Sequence, residues 1–358
     1  MVTGTGATEY ISNVPSGDLI AILQKPNQIS AADSKLRAAC AETLTTVLEV
    51  LSEVQEAYAE VQSVEAKLLV LEQRQQIVQR LPDLANTRLR AGEGIRLDVL
   101  TLESQRLALA VETTTLRLER TEERLVLARL IGEPSGPADW QLSVWQEPPP
   151  MRATEKAWTN AALKYRPEIR ARTWDLAAPG YEVKLTRLAP FEGNEAGAHA
   201  EHDLSWDIGP TVTLPIPTFD WGQAKRAKAI AQQIEARHQL LQLQRQVIEE
   251  VRRAYAVYAQ SRQAPYQARN ELLPLQQKRR EQAELAYKAG EADLTTLLLA
   301  ESDLQETRAK LVELQEKVTV AMIRLRRAVG GAGVAADVEA MLPATAPTTR
   351  SAETGPSK

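Results

Sequence analysis

Arg88-Leu89-Arg90-Ala91-Gly92-Glu93 and Ala286-Tyr287-Lys288-Ala289-Gly290-Glu291 are two copies of one passage, 198 residues apart. The register continues outward without a gap, laying residues 80–132 over 278–330. Leu100 falls on Leu298, Glu103-Ser104 on Glu301-Ser302, Arg129 on Arg327 and Gly132 on Gly330. A glycine ahead of a long apolar-periodic run predicts a turn between helices, because glycine accepts backbone angles that other residues resist. A glycine at the far end predicts the stop. The chain reads as two tandem copies of a unit built on a long helical hairpin.

The periodicity around these tips is heptad. Leu44, Leu51 and Tyr58 form one row and Val47, Val54, Val61 and Leu68 a second, three residues on. Leu102, Leu109 and Leu116 form another, with Leu100, Leu107, Leu118 and Leu125 beside it. Ile234, Leu241, Ile248 and Tyr255 repeat at sevens, as do Leu297, Leu304, Leu311, Val318 and Leu325. Rows of this kind are the seams of helices packed in coiled-coil fashion. The block 31–80 would make a rod of about 75 Å, longer than a small domain is wide, so such rods must pack side by side. Pro82 in the first copy, and Pro265 and Pro274 in the second, predict kinks or breaks. Residues 133–152, with Pro134, Pro137 and Pro148-Pro149-Pro150, read as a linker. Residues 153–176 read as shorter helices, and 333–358 as a disordered tail.

Composition agrees. Aromatic residues are 4% of 358, with two Phe, which suits long packed helices better than a thick globular core. A net charge of −4 with the signs interspersed gives no electrostatic case for nucleic acid. Cys40 is the single cysteine, which excludes an intrachain disulfide. No phosphate loop, nucleophile elbow or clustered His/Cys set occurs, so neither an enzyme nor a cofactor is expected. His199 and His202, three apart among Glu195, Glu201 and Asp203 in an expected surface loop, are too loosely specified to make a metal site. His238 reads as an ordinary helix residue.

One segment breaks the helical pattern. From 204 to 216, Leu204, Trp206, Ile208, Pro210, Val212, Leu214 and Ile216 alternate with Ser205, Asp207, Gly209, Thr211, Thr213 and Pro215. This is a β-strand with one apolar face, and residues 185–203 are placed to supply its partner. The length suits a transmembrane strand of about 9–11 residues; alternation alone fits an amphipathic strand of a soluble sheet equally. No run of apolar residues is long enough for a membrane-spanning helix.

In order and spacing, these motifs resemble the outer-membrane efflux protein family, of which TolC is the best-known member. The resemblance covers about residues 8–332. It is carried by Arg166-Pro167-Glu168-Ile169-Arg170-Ala171, by residues 214–224 from Leu214-Pro215-Ile216-Pro217 to Trp221-Gly222-Gln223-Ala224, by residues 286–294, and by Leu325-Arg326-Arg327-Ala328-Val329-Gly330-Gly331. It implies a mainly α fold in two repeats, 8–132 and 153–332. Long hairpins would form part of a trimeric α-barrel, and a few strands part of a transmembrane β-barrel. It further implies an outer-membrane exit duct with a periplasmic extension, working with a periplasmic adaptor protein and an inner-membrane pump. The first repeat departs from the pattern: it begins late, without its leading helix, partner strand or export signal, so an N-terminally truncated member is expected. Residues 10–23 are expected to form one strand. The alternatives are a periplasmic adaptor and a soluble coiled-coil scaffold, for which the alternating strand has no use.

The family gates its pore at the tip. Asp98 aligns with an acidic tip position, and Glu93, Glu291 and Asp293 could act from the turns, whereas Thr296 and Leu299 are not acidic where many members carry aspartates. Each carboxylate equally fits a solvated group at a helix start, where the dipole favours it. Ala91, Gly92, Leu97, Ala289, Gly290 and Leu294 are the adaptor-docking candidates. Leu204, Trp206, Ile208, Val212 and Leu214 are the lipid-facing candidates.

Overall fold

The computed structural model describes residues 19–92, 95–146, 148–188, 190, 195–202, 206–213 and 221–340. Glu93, Leu204 and Leu214 lie outside these residues.

Helix α1 runs Leu19–Val78 and encloses Pro26. The strand expected over 10–23 is therefore corrected from residue 19 onward; residues 10–18 lie outside the description. Pro26 lies two turns inside the helix, where it removes the amide that would bond to the Ile22 carbonyl, yet the helix continues through it. After Val78 the chain breaks and restarts as α2 (Leu81–Ala91), with Pro82 in the first turn where its missing N–H costs nothing. Helix α3 (Arg96–Leu130) is unbroken. Next come α4 (Glu155–Tyr165) and α5 (Pro167–Leu185), the latter opened by a proline. Strands β1 (Glu195–His202) and β2 (Trp206–Thr213) follow. The second copy repeats the broken-then-straight order: α6 (Gln223–Ser261), α7 (Gln263–Gln267), a π-helical turn (Ala268–Leu272), α8 (Leu273–Ala289) and the unbroken α9 (Leu294–Val329). Pro265 and Pro274 fall in this broken passage, as their chemistry requires.

Helix α10 (Ala332–Ala340) corrects the expected tail for its first residues. Ala335 and Val338 are buried, and Glu339 accepts the backbone N–H of Arg152 at 3.0 Å. The apolar face of a short Ala/Val stretch thus has something to pack on. The linker is also ordered. Ser143 donates its N–H to the Tyr58 hydroxyl at 2.8 Å, and its carbonyl accepts from Gln62 at 2.8 Å. The carbonyls of Ala138 and Trp140 accept from Arg124, which also pairs with Glu65, and Pro149 O accepts from the Tyr258 hydroxyl. A proline-rich strap with no ladder of its own takes its hydrogen bonds from the helices beneath it.

The residues fall into two compact units that each draw on both sequence copies. One comprises the described parts of Met1–Thr45 and Tyr165–Gln246, the other those of Thr46–Lys164 and Val247–Lys358. In the first unit, Lys35 pairs with Glu182 at 2.7 Å and the Arg37 guanidinium lies 4.7 Å from the Trp174 ring centre. This unit also holds the hairpin β1–β2, antiparallel, with Ala196↔Val212, Ala198↔Pro210, Ala200↔Ile208 and His202↔Trp206 in register. By strand parity, these pairs share one face of the ribbon, and Glu195, Gly197, His199 and Glu201 share the other with Thr213, Thr211, Gly209 and Asp207. The expected loop around His199 and His202 is corrected to strand β1, and three-residue spacing gives the two histidines opposite parity.

In the second unit, behind the tips, α1 lies between α3 and α9, and α8 lies on α9; at the tips α2 also meets α8. Leu71 and Val78 of α1 pack with Leu109 and Leu116 of α3, and Ala57 and Val61 with Leu127. On its other side α1 meets α9, where Glu56 pairs with Arg324 and Glu49 with Arg327, both at 2.9 Å. Helix α8 lies on α9, with Arg279 paired to Asp303 and Arg280 to Glu301.

Candidate functional site at the hairpin tips

Both turns are built alike. Helix α2 ends as Gly92 takes φ +77°, its N–H returning to the carbonyls of Arg88 and Leu89. Helix α8 ends as Gly290 takes φ +76°, returning to Ala286 and Tyr287. These left-handed angles strain any other side chain, which is the reason for glycine at both places.

The helices that leave the turns begin differently. Asp293 caps α9, its carboxylate accepting from the Thr296 N–H at 2.9 Å and the Thr296 hydroxyl at 2.6 Å. The side-chain bond from Thr296, and after it the backbone one, holds the Asp293 carboxyl below its ordinary value. In α3 the capping position is Ile95, which has no oxygen to offer, and Asp98 sits three residues later in the first turn. Asp293→Ala is therefore expected to speed exchange of the Thr296 amide and leave the Asp98 amide, its counterpart in the other tip, unchanged. Because the folded pKa lies below the unfolded one, the cap's contribution is complete above about pH 4. It is lost as pH falls through the folded value, and the variant removes that acid-side loss. Equal change at both amides would contradict this.

Behind the turns, Ala85 and Leu102 of the first hairpin share one buried cluster with Ala283, Tyr287, Leu294, Leu297 and Ala300 of the second. One layer further in, the buried Glu301 accepts from Arg280 Nε at 3.0 Å and from Gln305 Nε2 at 2.8 Å. Arg280 also pairs with Glu284 at 2.7 Å. The hydrogen bond from Lys288, and then the Arg280 and Lys288 charges, hold the Glu284 carboxyl below its usual range against the opposing effect of partial burial.

Of the sequence candidates, Ala91, Gly92, Leu97, Ala289, Gly290, Glu291 and Asp293 are exposed at the tips and Asp98 is half-buried. Leu294 is corrected: it is buried in the shared cluster, so its side chain holds the hairpins together and is not offered to a partner. Trp206, Ile208 and Val212 lie in β2 with common parity. Sequence reasoning missed the Arg280–Glu301 pair. The repeat gives no warning of it, since Glu103, in the same position of the first copy, is exposed.

A groove of about 740 Å³ lies elsewhere in this unit, between α1, α6 and α9. Its basic side chains Arg253, Lys317, Arg324 and Arg327 are each paired, with Glu249, Glu313, Glu56 and Glu49. That arrangement leaves no ready seat for an anion. Among the described residues no helix is long and apolar enough to cross a membrane, which says nothing of a β-barrel.

Comparison with known proteins gives the tips their context. The sequence model described as outer membrane efflux protein matches residues 158–331. No curated protein matches the chain in sequence. Among solved structures, the outer membrane protein VceC of Vibrio cholerae superposes with a TM-score of 0.71 at 19% identity, over 89% of this chain and 78% of that one. CusC, whose structures follow folding and transmembrane channel formation, gives a TM-score of 0.73 at 20% identity over 88% and 76%. The open state of the MtrE outer membrane channel of Neisseria gonorrhoeae gives 0.68 at 19% over 91% and 81%.

Proposed function

We propose that this chain, whose residues 158–331 match the sequence model described as outer membrane efflux protein, is one of three identical staves of a passive exit duct. The observation that carries the reading is an asymmetry between duplicated helices. Helix α9 buries fifteen residues along its length and α3 buries five. Gln305 is 4% exposed and its counterpart Leu107 is 61%; Ile323 is 7% exposed and its counterpart Leu125 is 51%. Helix α9 has a neighbour on each side, and α3 is an edge that keeps an apolar row bare.

Leu100, Leu107, Val111, Leu118 and Leu125 form that row. On the opposite edge, α8 and the π-helical turn before it leave Leu272, Leu275 and Leu285 exposed. Two unlike apolar edges on one molecule are satisfied by copies joined edge to edge, and a heterologous contact of this kind either closes into a ring or runs on as a fibre. Three chains with two hairpins each would close a tube of six. The β1–β2 ribbon, with its apolar parity, would join those of the other chains in an outer-membrane barrel, because an open sheet edge is not tolerated in lipid.

In this reading the tips point into the periplasm, toward an adaptor protein and an inner-membrane pump that supplies the energy. Leu97 and the small residues Ala91, Gly92, Ala289 and Gly290 form the docking surface. Asp98, Asp293, Glu93 and Glu291 are the charges at the gate, Asp293 doubling as the cap of α9. No chemistry is performed. Reconstituted in planar lipid bilayers, the protein is expected to give discrete, ohmic conductance steps, however small. Protein that inserts and conducts at no voltage contradicts the proposal.

A further inference from the structure

Where the proline strap ends, a cavity of about 320 Å³ opens between it and helices α4, α9 and α10. Its wall holds an unmet donor. Trp158 of α4 lines the cavity and is 1% exposed, yet its indole Nε1 has no hydrogen-bond partner. A buried N–H without an acceptor is costly, and native structures leave few of them. Arg152, just after the strap, and Arg326, in the last turn of α9, line the same cavity. Among the described residues neither guanidinium has a carboxylate partner. The one acid among the described lining residues, Glu339, is engaged elsewhere: it accepts the backbone N–H groups of Arg152 and Ala153 at 3.0 and 3.4 Å. Two unpaired cations and a buried donor thus face a space whose remaining walls, Met151, Met322 and the α10 alanines among them, are apolar.

The duplication shows how the strap is held where no cavity is left. At the position of Met322 the first copy has Arg124, and Arg124 donates directly to the strap carbonyls of Ala138 and Trp140. At the position of Arg326 the first copy has the buried Ala128. The second copy therefore carries its guanidinium one turn further along and puts an unbranched thioether where the first makes its polar contact. Methionine is the side chain best able to shape itself around a guest.

We propose that this cavity is a binding site for a small organic carboxylate with an unbranched apolar body, its head accepting from Trp158 Nε1 and paired with the guanidiniums of Arg326 and Arg152. Such a head supplies the acceptor that the indole lacks and the charge that both arginines lack. At about 30 Å³ for each water-sized group, the space takes roughly ten of them, which is the size of octanoate. The site does not depend on the duct reading and gives the bound carboxylate no part in transport.

The test titrates the full-length, detergent-purified protein with octanoate in a calorimeter, against a detergent blank. Saturable binding of one octanoate per chain is expected. Octanol, the same body without the charge, is expected to bind roughly tenfold more weakly, and Arg326→Gln to weaken octanoate roughly tenfold. Trp158→Phe, which keeps a ring and removes the donor, is expected to weaken it roughly fivefold. In hydrogen exchange, octanoate is expected to slow residues 152–158 and 332–339 and leave the tip residues 286–290 unchanged. No saturable binding up to about 10 mM would mean that the cavity holds water only, and overturns the site. Octanol binding as tightly as octanoate, or an unchanged affinity in Arg326→Gln, overturns the carboxylate assignment. Should Trp158→Phe loosen the fold, the half-buried Arg326 decides the matter.

Discussion

Leu297→Ala is expected to destabilise the hairpin tips by about 2–5 kcal/mol, the range for truncating a fully buried leucine in a core that cannot collapse around the cavity. Leu297 is buried among Leu102, Tyr287, Leu294 and Ala300, residues from both hairpins. The neighbouring rods are stiff: α3 and α9 run through this level without a break. They cannot close on a missing isobutyl group without shifting whole turns, so the upper part of the range applies. The loss should be local, appearing as faster exchange at residues 294–304 and at 99–106 of the other hairpin. Leu299→Ala, two residues away and exposed, is the control and should change exchange little. Equal effects of the two would mean that the tip cluster does not pack as described.

The second large effect is on assembly. Leu107→Asp combined with Leu118→Asp is expected to abolish oligomer formation while leaving the helical content of the chain intact. Both leucines lie on the bare row of α3, so the single chain loses little packing when they are replaced. A second copy seated on that row would bury them, at about 1.5–3 kcal/mol for each large apolar side chain. A carboxylate in the same seat must be desolvated without a partner, which costs several kcal/mol more. Two such positions per interface, repeated around a closed ring, exceed what the remaining contacts can offset. Size-exclusion chromatography with light scattering reads the outcome. An oligomer that survives the double substitution would mean that the α3 row faces solvent.

Much of this was legible in the sequence, for identifiable reasons. The tips announced themselves because Gly92 and Gly290 satisfy a backbone requirement that no other residue meets cheaply. The break before Pro82 and the π-helical turn ahead of Pro274 follow from a missing amide. The strand around Ile208 was visible because period-two alternation has no helical counterpart. What stayed hidden depends on partners distant in the chain. Residues 10–23 read as a strand, but α1 already runs from Leu19 and passes through Pro26. The strap at 138–149 reads as a spacer because its hydrogen bonds come from Tyr58, Gln62, Arg124 and Tyr258. Leu294 and Leu97 look alike as apolar residues near a turn, and the packing of the second hairpin against the first is what buries one and leaves the other bare. Glu301 and Glu103 share a position in the repeat, and their fates differ because α9 lies between two neighbours and α3 has one.

That difference is also where the account is most exposed. The native mass of the detergent-purified protein, measured with the apolar row of α3 intact, tests it directly. The account predicts a closed assembly of three chains; a stable single chain with Leu107 and Leu118 still open to solvent would contradict it.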